Sequence, residues 1–361
     1  MNADRKCLPN LTPLIKGGSR GDPTLIKEET YQFKFDGYQL PFRQPLITSH
    51  GCWKIREGII VSLQHNDGRI GWGEIAPLPW FGSETLAAAT HFCQQLGDSI
   101  SDRIIQSIPD ELPATQFGII SALEDLTNKT APLIKGGSPP APLQKGGVEE
   151  KGVEEGGVEK GGEEEGGIEA ARTTCLLPAG EKALTAWESG FQQGQRTFKW
   201  KIAVGGAREE REIFSQLVTL LPAGSKLRLD ANGGLTLTEA RNWLELTDKY
   251  QLVEFMEQPL PPSQLEEMLQ LHREYHTALA LDESVATVKQ LEQCYEKGWR
   301  GIFVIKGAIA GSPQRLRQFC QEHSIDAVFS SVFETNIGRK AVLRLAAELS
   351  SPHRAVGFGL S

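Results

Sequence analysis

Five charged residues close five apolar runs in this chain: Lys201 after TFKW, Asp230 after LRL, Glu257 after LVEFM, Asp282 after ALAL and Lys306 after GIFVI. From Lys201 onward the intervals are 29, 27, 25 and 24 residues, about the length of one strand and one crossover helix. One charge at the carboxyl end of each successive strand is what the mouth of an α/β barrel offers a substrate. Three carboxylates converging there repel one another unless a cation lies among them, and oxygen donors without His or Cys suit a hard ion, Mg2+ by preference with Mn2+ as substitute. A single Asp in such a place is as well explained as a helix N-cap; three in register favour the metal. An ion there polarises a substrate carboxylate while a lysine amine takes the proton α to it, so the expected partner is a small-molecule carboxylate.

The elements that position these groups follow from periodicity. Phe198, Trp200 and Ile202 alternate with Lys199 and Lys201, which sends both lysines to one face of a strand. An edge strand with a solvated lysine face is the competing reading, and the downstream run of charges argues against it. Strands are expected over 173–177, 197–203, 226–230, 253–257, 278–282, 301–306, 327–331 and 355–359, with helices between them, for example over 237–248 after Thr236 and over 313–322. The fold class is therefore α/β, a (β/α)8 barrel over 172–361. The eighth strand runs into the end of the sequence with no helix after it, so the barrel is expected to be C-terminally truncated.

Residues 28–130 read as a smaller α+β capping domain, with antiparallel strands over 31–40, 58–63 and 68–74 and helices over 83–96 and 116–126, the first capped by Ser83. The sequence PLIKGG at 13–18 recurs at 132–137 and, as PLQKGG, at 142–147. Residues 1–27 and 131–171, rich in Gly, Glu and Lys, have too few apolar groups to offset the entropy of ordering and are expected to be a low-complexity extension and a disordered insertion. The net charge of −8 and the lack of a basic tract argue against nucleic acid. No apolar run of membrane-spanning length occurs, and the six cysteines show no CxxC spacing, which favours reduced thiols and a cytoplasmic protein, monomer or homodimer. His272 and His276 lack the Glu that a zincin helix requires.

Taken together, KWK at 199–201, DAN at 230–232, EQP at 257–259, DES at 282–284 and IK at 305–306 resemble the enolase superfamily. GWGEIAPLPWFGSET at 71–85, ITSHG at 47–51, REG at 56–58 and SSVFET at 330–335 are similar, within it, to the o-succinylbenzoate synthase family. The resemblance covers about residues 30–129 and 172–361; the insertion is foreign to it. It implies that Lys201 takes and returns the proton in a syn dehydration of 2-succinyl-6-hydroxy-2,4-cyclohexadiene-1-carboxylate, with Lys306 facing it across the ring. It further implies Asp230, Glu257 and Asp282 as magnesium ligands, Lys199 and Asn232 behind them, Ser330 and Ser331 at the succinyl carboxylate through hydroxyls and backbone N–H groups, and the loops at Thr48, Ser49 and His50 and at 79–82 closing the mouth. The alternatives within the superfamily are an N-acylamino acid racemase, a dipeptide epimerase or a cycloisomerase, since lysines on both faces also suit 1,1-proton transfer. A binding protein recruited through the repeats is a third reading; it requires that deleting 131–170 abolish function.

Overall fold

The computed structural model describes residues 28–48, 51–127 and 173–358. The predicted extension at 1–27 and insertion at 131–171 lie outside them, as do Ser49 and His50. In the first unit, β1 (Thr30–Thr48) and β2 (Gly51–Gln64) form a long antiparallel hairpin, with β3 (Ile70–Ile75) beside β2 and β4 (Ser99–Ser101) beside β1. Tyr31 and Phe33 from β1 and Ile59, Val61 and Leu63 from β2 are buried beneath α1 (Leu86–Leu96), α2 (Asp102–Gln106) and α3 (Pro113–Thr127). The expected start of α1 at Ser83 is corrected: Thr85 caps it by accepting from the Ala88 N–H at 3.1 Å, while the Ser83 hydroxyl accepts from the Leu78 N–H at 2.6 Å. Glu84 leaves α1 altogether. Its buried carboxylate caps α3, accepting from Ala114 N at 3.0 Å and Thr115 N at 2.7 Å.

The second unit is a curled sheet of seven parallel strands in sequence order: β5 (Thr174–Leu177), β6 (Thr197–Lys201), β7 (Lys226–Asp230), β8 (Val253–Glu257), β9 (Leu279–Leu281), β10 (Ile302–Ile305) and β11 (Ala327–Phe329). Helices α4 (Ala183–Gln192), α5 (Ala207–Leu220), α6 (Leu237–Thr247), α7 (Leu265–Glu274), α8 (Val288–Glu296) and α9 (Pro313–Glu322) connect them, and α10 (Asn336–Leu349) follows β11. The expected strand over 355–359 is corrected to two single parallel bridges, Val356 with Thr173 and Gly357 with Ser330. Each bridge meets a different edge of the sheet, so the two edges are joined through this one short segment.

Alternation sorts the side chains as the sequence implies. Phe198 and Trp200 are buried outward under the helices, with Trp243 of α6 edge-on to both Trp200 and Phe214 of α5. Phe255, Ala280, Ile302, Val304 and Val328 form a separate inner cluster. A register shift between β7 and β8 just before Phe255 lets two successive residues, Glu254 and Phe255, approach Arg228. The buried Glu254 carboxylate receives Arg228 Nε at 2.6 Å, Lys226 Nζ at 3.2 Å and Arg354 Nη1 at 3.2 Å, and Arg354 also pairs with Asp326 at 2.6 Å. Arg354 thus ties the edge-joining segment to the base of the sheet. Arg354→Ala is expected to cost about 2–3 kcal/mol in urea unfolding, below the full penalty for breaking a buried pair because Arg354 is partly solvated and Glu254 keeps two other partners.

Candidate active site

At the carboxyl ends of the strands the inner face carries the charged set. Asp230 and Glu257 are register partners across β7 and β8, Lys201 is the register partner of Asp230 across β6 and β7, and Asp282 follows the end of β9. Lys306 follows β10, with three strands, each leading to one acid, between it and β6. Lys199 donates to Asp230 Oδ2 at 2.8 Å and Glu257 Oε1 at 2.6 Å, and Lys306 pairs with Asp282. The Lys201 ammonium, half-buried at the same mouth, makes no ion pair or hydrogen bond among the described residues.

Electrostatics follow from this crowding. Burial, then the charge of Asp230, pushes the Glu257 carboxyl up to about 8. Asp282 is pushed up to about 6 by burial, against the pull of Lys306. Burial also opposes ionisation of Asp230, but the Lys199 ammonium overrides it and holds Asp230 below the usual carboxylate range. Burial would strip the Lys199 proton; the surrounding carboxylates reverse that and hold it strongly. Two buried acids that resist ionisation beside a third that is ionised are what a site for added positive charge looks like. The set does not close as it stands: among the described residues no three His, Cys, Asp or Glu side chains group tightly enough to grip an ion, because Asp282 turns to Lys306 while Asp230 and Glu257 share Lys199. By donor type, burial and mutual repulsion the three carboxylates nevertheless fit a hard divalent cation.

Backbone strain marks the same ends. Ala203 (φ 60°), Asn232 (φ 44°) and Gln258 (φ 38°) are left-handed, two, two and one residues beyond Lys201, Asp230 and Glu257, and so turn the chain off the sheet just past each site residue. The turn after β6 is held by the buried Glu210, which accepts from Ala203, Val204 and Gly205 N–H at 2.8–2.9 Å. Asn232 stands beside the acids: its backbone N–H donates to Asp230 Oδ1 at 3.1 Å and its side-chain amide to Glu283 at 3.1 Å. Gln258, which sequence reasoning passed over, is fully buried; its carbonyl accepts from Asp282 N at 2.9 Å and Ser284 N at 3.1 Å and so fixes where Asp282 begins. The only signal for it was its place inside EQP.

The first unit reaches over this mouth. Phe81 lies with its ring centroid 3.9 Å from Lys306 Nζ. Gly82 (φ 119°) lets that loop lie against the connection between β9 and α8, since a Cβ there would stand 3.1 Å from the Ala286 methyl. Trp80 packs edge-on to Trp53, which is edge-on to Phe42 and Phe333, so Trp80 joins an aromatic seam while Phe81 meets the charged group. Thr48 ends β1 opposite Gly51, at the tip of the hairpin, and Ser49 lies outside the described residues.

Ser330 and Ser331 are corrected in part. Their backbone N–H groups are spent on Ile305 O (3.0 Å) and Gly357 O (3.3 Å), because the chain is still bonded to the sheet there. The Ser331 hydroxyl donates to Glu334 at 2.8 Å and accepts from Phe333 N at 2.9 Å, whereas the Ser330 hydroxyl is buried with no partner among the described residues. Of the pair, Ser330 alone has an unspent group.

Two family models and several known proteins match the chain. The family described as Enolase C-terminal domain-like matches residues 181–358, and that described as MenC, N-terminal domain, matches residues 30–126. An o-succinylbenzoate synthase of Thermosynechococcus vestitus is 36% identical over 327 residues, 90% of each chain. The chain belongs to the o-succinylbenzoate synthase family. As a member of it the chain is an enzyme, a carbon–oxygen lyase. The o-succinylbenzoate synthase of Yersinia enterocolitica is 30% identical, covering 86% of this chain and 84% of its own. The crystal structure of o-succinylbenzoate synthase from Thermosynechococcus elongatus BP-1, complexed with Mg in its active site, superposes with a TM-score of 0.77 at 35% identity over 91% and 93% of the two chains. A dipeptide epimerase from Enterococcus faecalis V583 shares the fold (TM-score 0.69) at 19% identity over 91% and 89% of the chains. The five cysteines described are all free, and among the described residues no helix is long and apolar enough to cross a membrane.

Proposed function

We infer that the chain is a dehydratase that converts 2-succinyl-6-hydroxy-2,4-cyclohexadiene-1-carboxylate to 2-succinylbenzoate, a step towards menaquinone or phylloquinone, within an eight-position (β/α)8 barrel whose last position is the 355–358 segment. The observation that carries this reading is the pair of inward lysines, Lys201 unpaired and Lys306 paired, on strands separated by three that lead to carboxylates. Asp230, Glu257 and Asp282 are the groups that hold Mg2+, or Mn2+ in its place. The ion, when bound, supplies positive charge beside the substrate carboxylate as negative charge builds on it.

The chain's own groups do the rest. The free amine of Lys201 takes the C1 proton, and the electron pair left behind forms the C1–C6 double bond as the C6 hydroxyl leaves. The Lys201 ammonium returns its proton to that oxygen, so water departs, the amine is regenerated and the ring becomes aromatic. One lysine serving both steps makes the elimination syn. Lys306 keeps its charge on the other side of the ring, with Phe81 excluding water from it. Lys199 holds Asp230 and Glu257 in place, and Asn232 steadies Asp230. The hydroxyl of Ser330 is the group assigned to the succinyl carboxylate, while Thr48, at the end of β1, and Ser49 are assigned to closure over the substrate.

Two facing lysines also suit 1,1-proton transfer, so the runner-up is a racemase or epimerase. With purified chain and Mg2+, the cyclohexadiene substrate should yield 2-succinylbenzoate. Racemisation of an N-acylamino acid or a dipeptide without any 2-succinylbenzoate would overturn the assignment.

A further inference from the structure

Where the capping unit meets the 330–335 loop, two of its residues grip the C-terminal half of that loop. Glu74 of β3 is fully buried and lies at the start of α10. Its carboxylate accepts four hydrogen bonds: from Tyr38 Oη of β1, from Thr335 N at 2.9 Å, from the Thr335 hydroxyl, and from Gly338 N at 2.9 Å. The two N–H groups are donors that a helix leaves unpaired at its N-terminus, and a carboxylate there also meets the positive end of the helix dipole. The seat is built to this one group, since a Cβ at Gly338 would stand 2.8 Å from Glu74 Oε2. Two residues upstream of Thr335, Arg56 of β2 donates Nε to Phe333 O at 3.2 Å and Nη1 to Pro77 O at 3.0 Å. Phe333 is left-handed (φ 62°), a conformation a Phe does not take unaided. Between the grips, Glu334 accepts from the Ser331 hydroxyl at 2.8 Å and Val332 N at 2.7 Å, which leaves the loop's inner N–H groups spent on itself.

We propose that Glu74, a residue of the capping unit with no access to the substrate, is a positioning residue for the dehydration: it fixes the loop that leads away from Ser330, whose hydroxyl is buried and unpartnered among the described residues, and so sets affinity for the distal carboxylate. This rests on the reading that Ser330 meets that carboxylate. Ser331, in the same account, is a staple of the loop and not a ligand. The four-bond seat makes the capping unit part of the binding site even where none of its atoms touches the ligand.

The test is steady-state kinetics of the full chain with Mg2+ and the cyclohexadiene substrate, for Glu74→Gln, Ser330→Ala and the double variant, with thermal melts alongside. Glu74→Gln keeps the shape but lacks the charge and replaces an acceptor by a donor. It is expected to raise KM about tenfold with kcat within about twofold, and Ser330→Ala to do the same. The double variant should be no worse than either single one, because both act through one contact. If Ser330→Ala raises KM and Glu74→Gln lowers only the melting temperature, Glu74 is merely structural and the proposal fails while the reading of Ser330 stands. If Ser330→Ala leaves KM unchanged, the reading of Ser330 fails and the proposal with it. If the two effects simply add, Glu74 does not act through the loop. Should Glu74→Gln not fold, Tyr38→Phe, which removes one of the four bonds, must raise KM by about two- to threefold; an unchanged KM with a lower melting temperature sinks the proposal.

Discussion

Lys201→Ala is expected to lower kcat by at least about 10³-fold while leaving Mg2+ affinity within about twofold of the parent. The reason is geometric. Lys201 is the ammonium at the mouth with no hydrogen-bond or ion-pair partner among the described residues, so removing it breaks no salt bridge, and Asp230, on which its charge also acts, keeps the nearer Lys199. Lys199 cannot take over, since its ammonium is held between Asp230 and Glu257, and Lys306 stands three strands away, paired with Asp282. Kinetics beside a magnesium titration checks both halves: turnover within tenfold of the parent would remove Lys201 from the reaction, and loss of metal binding would make it a structural group.

Chelation is the second large effect. Incubation with EDTA should abolish 2-succinylbenzoate formation, and added Mg2+ should restore it; activity that survives exhaustive chelation contradicts the role given to the acids. The same site sets a pH dependence. Glu257 and Asp282 have pKa values raised to about 8 and about 6, so at pH 5 both hold protons that an ion must displace. Apparent Mg2+ affinity should therefore rise with pH through 6 and towards 8, then level off. In the metal-free chain the sign for folding is opposite. A carboxyl whose folded pKa lies above its unfolded value favours the folded state at low pH, and that contribution is lost as pH rises from the unfolded value through about 6 for Asp282 and about 8 for Glu257. Melts of chelated protein from pH 5 to pH 8 check this: the gap between melts with and without Mg2+ should widen as pH rises.

Much of this was legible before any coordinates, for reasons that can be named. β7 and β8 begin and end where the hydrophobic pattern places them, because a strand buried on both faces leaves few registers that bury LRL and VEFM. Thr236 and Glu239 form the capping box that fixes the start of α6. At the eighth strand position Ala355, Val356 and Phe358 are buried as a strand would bury them, yet only Val356 and Gly357 bridge, and burial alone does not distinguish a strand from a bridging segment. The α1 cap was misplaced because Ser83, Glu84 and Thr85 all look like cap residues, and only tertiary structure shows that Glu84 belongs to α3. In the site, the five charged strand ends were visible as single letters at even spacing. Gln258, Glu210 and Glu74 were not, since each works through backbone groups of residues it does not neighbour in sequence. The spent N–H groups of Ser330 and Ser331 were hidden for the same reason: the bridge to Gly357 and the bond to Ile305 are long-range.

The central claim is that acids from three neighbouring strands seat one divalent ion between two lysines. A crystal of the chain grown with Mn2+ and 2-succinylbenzoate, examined by anomalous scattering, tests it directly. The account predicts a single strong peak within about 2.0–2.3 Å of oxygens from Asp230, Glu257 and Asp282, with Lys201 and Lys306 on opposite sides of the ring. A peak elsewhere, or an ion bound with any one of those three carboxylates turned away from it, would contradict it.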